Sequence, residues 1–96
     1  MTGSEAMGKE IRFETITIEG DVPGRARDGI AVIRGGRRVA VLPEADRLRR
    51  ALSLPLDEIE YIANNLGEAL MRNPTVDEQE FWRAVLDYRR SQSQRR

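Results

Sequence analysis

The chain contains no cysteine and no histidine. That removes disulfides, thiolate nucleophiles, zinc sites built on nitrogen and sulfur, and every catalytic device that needs an imidazole. Lysine occurs once, at Lys9, and aromatic residues make up only 5% of the 96 positions. No run approaches the roughly 20 apolar residues that span a bilayer. Met1 to Glu10 carries no apolar stretch of the kind a secretory signal needs. These absences predict a chain of the reducing cytoplasm that has no cofactor, no metal and no membrane partner, and that acts by binding rather than as an enzyme. Its length fits one domain with a modest core, whose thin margin of stability a partner or a second copy would widen.

Charge is abundant but balanced. Asp and Glu number 16, and so do Lys and Arg, with Arg supplying 15 of the latter. A GC-rich bacterial or phage genome gives this bias, and so does selection for bidentate contacts to carboxylate, phosphate or guanine. The balance is not local. Residues 1–28 carry a net −2, residues 29–53 a net +4, residues 54–87 a net −6 and residues 88–96 a net +4. Opposed blocks of this kind permit self-association or a divided binding function.

Residues 1–9 have no periodicity and read as a disordered lead, with a single α+β domain over 10–90 and a disordered tail over 91–96. From Ile11 to Glu19 apolar and polar residues alternate, but the phase slips after Phe13. A one-residue slip moves the apolar set to the other face, so a bulge or bend is expected. Three glycines and a proline in residues 20–29 predict a loop. Ile30–Ile33 and Val39–Leu42 are two apolar runs joined through Arg34-Gly35-Gly36-Arg37, the signature of a tight β-hairpin. Pro43 ends it and suits the start of a helix to Leu52. After Ser53-Leu54-Pro55, the residues Leu56, Ile59, Ala63, Leu66 and Leu70 recur at spacings of 3 and 4, predicting one helix over 56–72. Thr75-Val76-Asp77-Glu78 is a capping box that opens a third helix over 76–90. The expected fold is therefore an N-terminal three-stranded antiparallel β-meander followed by three α-helices.

Few groups offer chemistry. Asp57, Glu58 and Glu60, and likewise Asp77, Glu78 and Glu80, read as helix N-termini, where the helix dipole favours carboxylates. The loop Gly24 to Gly29 lacks the Gly-Lys-Ser/Thr of a phosphate loop, and a strand rather than a helix follows it. The basic cluster Arg34, Arg37, Arg38, Arg47 and Arg50, with Arg49 beside it, fits contacts to nucleic-acid phosphates. The competing reading, a solubilising fringe around an apolar hairpin whose edge charges block aggregation, is the more ordinary one. On the last helix, Phe81, Trp82, Val85, Leu86 and Arg89 are the expected partner-binding residues, Trp being a frequent interface anchor; core packing is the competing reading.

The run Ile30 to Pro43, with the helix to Leu52, resembles the central hairpin of Phd/YefM-type antitoxins, which pair an apolar strand, a basic Gly turn and an Ala-Val-Leu strand leading into a short helix. That family carries a helix between its first strand and this hairpin, where the present chain has the loop 20–29. Arg38 to Leu42 with the next two helices also resembles a ribbon-helix-helix repressor. Both resemblances imply a DNA-binding dimer with a protein-binding C-terminus. Two readings thus stand: an antitoxin-like regulator binding DNA through the hairpin region, or an accessory or inhibitory protein that docks on an enzyme or large complex without nucleic acid. The partners expected are a protein, DNA and a second copy of the chain.

Overall fold

The structure, a computed structural model, describes residues 10–20, 24 and 26–94. The proposed lead 1–9, the loop residues 21–23 and Arg25, and the last two arginines lie outside the described residues. Strand β1 (Ile11–Ile18), strand β2 (Arg27–Arg34) and strand β3 (Arg37–Leu42) form one antiparallel sheet in the order β1-β2-β3. Helices α1 (Asp46–Leu52), α2 (Leu56–Asn64), α3 (Leu66–Leu70) and α4 (Val76–Gln94) follow. This is the α+β meander-then-helices order expected from the sequence. No described helix is long and apolar enough to cross a membrane.

The hairpin turn forms because Gly35 and Gly36 take φ of 61° and 80°, a pair of left-handed residues that a side chain would disfavour. Where the structure departs from the sequence reading, local physics explains it. Strand β1 has no bulge: its register against β2 runs unbroken from Ile11↔Arg34 to Ile18↔Arg27. The phase slip instead divides its apolar residues between the two faces. The irregularity lies in β3, where Val32 faces Ala40 but Ile33 faces Arg38, leaving Val39 as the extra residue. Arg27 to Gly29 belong to β2 rather than to a loop.

The expected helix 56–72 is two helices. Asn65, at φ −131° and ψ 46°, interrupts it, and its side-chain amide donates to the Tyr61 carbonyl at 3.0 Å. A short amide side chain that bonds to nearby backbone competes in this way with the helical ladder. Met71 then closes α3 in the left-handed conformation, at φ 60°. The last helix is longer than expected, carrying residues 91–94 of the proposed tail.

All the helical packing falls on one face of the sheet. Val32, Ala40 and Leu42 from the sheet meet Ala51 of α1, Ile59 of α2, and Phe81, Ala84, Val85 and Leu86 of α4 in one buried cluster. Phe13 joins it edge-on to Phe81 and Tyr88, with ring centroids 6.4 and 5.7 Å away. Helix α4 is thus the central post of the domain, with the sheet on one side and α2 on the other.

Candidate interaction surface

Directly paired residues of neighbouring strands share a face of the sheet. Because Phe13 and Val32 meet the helices, Arg12, Glu14, Ile16, Ile18, Arg27, Gly29, Ala31, Ile33, Arg38 and Val41 belong to the opposite, outer face. Its centre is apolar and dense: Ala31 is 0% and Ile33 8% exposed. Ile16, Ile18 and Val41 around them are half-buried. Gly29 is required here, since a Cβ on it would meet Ile18 Cδ1 and the Leu42 carbonyl oxygen well inside contact distance. Arg12, Glu14, Arg27 and Arg38 are exposed at the margins, and Arg12 pairs with Glu14 at 3.1 Å. The face therefore carries more positive than negative charge around an aliphatic middle.

The arginines expected to contact nucleic acid are not gathered into one surface. Arg34, on the helix-packed face, pairs with Asp87 of α4 at 3.3 Å. Arg47 bonds Glu44 at 3.1 Å and lies 3.7 Å from Glu78. Arg50 sits 3.8 Å from Glu44, and Arg49 pairs with Asp46 at 2.7 Å. Among the described residues, Arg37 and Arg38 have no carboxylate partner; both are exposed at the hairpin end, and their places in the register put them on opposite faces. The acidic block 54–87 thus draws Arg34 and Arg47 against the fold, while Arg49 and Arg50 stay exposed beside Glu44 and Asp46 of their own segment.

The residues expected to bind a partner mostly build the core. Phe81 and Val85 are 0% and Leu86 is 1% exposed, which corrects their reading as anchors: a side chain enclosed by its own fold has nothing left to offer. Trp82 is half-buried and stacks edge-on to Phe81, with ring centroids 5.5 Å apart. Arg89 donates to the carbonyls of Leu52 and Leu54, at 2.7 and 2.8 Å, so it ties α4 to the link between α1 and α2.

The strongest electrostatic feature is also structural. Glu78 is buried at the start of α4. Its carboxylate accepts two hydrogen bonds from Arg72 and one from the Thr75 amide, while its own amide donates to the Thr75 hydroxyl, the capping box expected from the sequence. Arg72 above all, opposed by burial and helped by Thr75, holds the carboxyl down at about 2. An open cleft of about 480 Å³ is lined by Asp28, Glu44, Ala45, Asp46 and Arg50. Among the described residues no cluster of three or more carboxylates could hold a metal ion.

Sequence reasoning passed over Ile16, Ile18 and Val41. The signal was present in the phase slip of β1, which moves Ile16 and Ile18 to the side away from Phe13. The chain matches no family model, no curated protein and no solved structure.

Proposed function

We propose that the protein is a non-catalytic binding module, an accessory or inhibitory protein whose outer sheet face docks on another protein. One observation carries the reading: on the side opposite all the described helices, the sheet keeps Ile16, Ile18 and Val41 partly open to solvent around the closed centre of Ala31 and Ile33. Arg12, Arg27 and Arg38 fringe it, so the surface it complements is apolar in the middle and acidic at the rim. A face of this kind gains by burial at roughly 25 cal/mol per Å² of apolar area.

The test uses purified protein as bait for partners, with Val41→Glu and Ile16→Glu as matched baits whose circular dichroism and melting equal the wild type's. A protein captured by the wild type should be lost from both variants and retained by Arg37→Ala/Arg38→Ala. Capture that survives both outer-face substitutions would reject the reading.

The antitoxin-like reading, with DNA as partner, now rests on Arg37 and Arg38 at the hairpin end and on the exposed Arg50, because Arg34 and Arg47 are half-buried against carboxylates. It requires DNA affinity that falls steeply with salt through counterion release. Loss of that affinity in Arg37→Ala/Arg38→Ala would favour it over the docking of a protein.

A further inference from the structure

The two edges of the sheet are treated differently. Strand β3 has a bulge at Val39, ends against Pro43, and has the outward amide of Val41 bonded to Asp77 Oδ2 of α4. These are the devices that keep an edge from pairing with another chain. Strand β1 has none of them. It runs eight residues in unbroken register without proline or lysine, and among the described residues no hydrogen bond reaches its free side. The hydrogen bond from the Gly35 amide to the Glu10 carbonyl sets the alternation of the ladder. Arg12, Glu14, Ile16 and Ile18 turn their amides and carbonyls toward β2, and Ile11, Phe13, Thr15 and Thr17 present theirs to the open edge.

We infer that β1 pairs antiparallel with β1 of a second copy about a twofold axis at Phe13, joining two three-stranded sheets into one of six strands. Charge fixes this register. An axis at Phe13 places Arg12 opposite Glu14 of the other copy, twice, on the outer face and in the non-hydrogen-bonded positions where side chains approach most closely. An axis at Arg12 or at Glu14 sets like charges opposite each other. An axis at Thr15 sets Arg12 against Ile18 and Glu14 against Ile16. With the axis at Phe13 the edge groups also match. Phe13 bonds Phe13 in both directions, and Ile11 and Thr15 exchange hydrogen bonds with their counterparts. On the helix-packed side, the half-buried Phe13, already edge-on to Phe81 and Tyr88, meets its symmetry mate. Both helical layers then lie on one side of the joined sheet, and both outer faces on the other. The inference stands apart from the docking proposal, since it joins the edges of two sheets and uses, of the outer face, only Arg12 and Glu14 at its margin, while the docking test varies Ile16 and Val41.

Sedimentation equilibrium on the full chain decides it. The wild type should dimerise with rising concentration. Arg12→Glu and Glu14→Arg, each alone, set like charges opposite each other twice across the axis and should weaken dimerisation roughly tenfold or more. An equimolar mixture of the two variants restores opposite charges at every crossing and should recover dimers at the wild-type level, which repair of a contact within one chain cannot do. Thr15→Pro removes an edge donor not used by the β1–β2 ladder and should give a monomer. If that variant does not fold, the charge-reversed pair decides alone, because it leaves the backbone unchanged. A wild type that stays monomeric into the millimolar range, single variants that dimerise like the wild type, or a mixture that stays monomeric would each overturn the inference.

Discussion

Asp77 accepts the backbone amide of Val41 at 3.3 Å, so the first turn of α4 closes the outer edge of β3. One carboxylate thereby joins the sheet to the helix that fills the core, across 36 positions of sequence. Asp77→Ala should lower stability by about 1 kcal/mol, the net worth of one such bond. It should also speed hydrogen exchange of the Val41 amide relative to its neighbours in β3. Unchanged exchange at Val41 would show that the edge is protected by something other than Asp77.

Glu78 makes the fold sensitive to acid. Its carboxyl is held at about 2, mainly by Arg72, against about 4.3 in an unfolded chain. A group depressed in the folded state contributes stability that is fully present above its unfolded value and is lost as pH falls through its folded value. Wild-type stability should therefore drop between roughly pH 4.5 and pH 2. Glu78→Gln should lower stability at neutral pH by about 2 kcal/mol and flatten that drop. Equal acid sensitivity in the variant and the wild type would assign the effect to other carboxylates.

What could be read from the sequence is what nearest neighbours decide. Gly35-Gly36 specifies its turn because only that backbone closes the hairpin, and Thr75 with Glu78 caps α4 across three positions. The break at Asn65 is local too, but its asparagine competes with a strong apolar stripe, and periodicity alone follows the stripe. The candidate site was harder. Whether Arg34 serves nucleic acid or the fold depends on Asp87, which topology brings beside it and spacing cannot. The same holds for Phe81 and Trp82, adjacent residues whose fates were decided by which side of α4 the sheet occupies.

Gly29 is fixed by close approach rather than by backbone angle. A Cβ there would fall 2.6 Å from the Leu42 carbonyl oxygen, and nearer still to Ile18 Cδ1. Ile18 can swing aside, but the carbonyl belongs to the sheet. Gly29→Ala should lower stability by about 1–3 kcal/mol, in the range of overpacking, and Ile18→Ala in the same chain should recover only part of it. Full recovery would place the whole clash on the side chain.

Phe81 and Trp82 separate a core role from a docking role. Phe81 is wholly buried between the sheet and the helices, so Phe81→Ala should lower stability by about 3–5 kcal/mol, enough to unfold much of a small domain of ordinary stability. Trp82 keeps one side toward solvent, and truncating it leaves a gap that water can fill. Trp82→Ala should therefore lower stability by less, about 1–2 kcal/mol. Urea denaturation, followed by far-ultraviolet circular dichroism because the Trp82 variant lacks its tryptophan signal, gives both values. If the Phe81 variant melts like the wild type, that ring is not the centre of the core, and the reassignment of α4 from partner surface to interior fails with it.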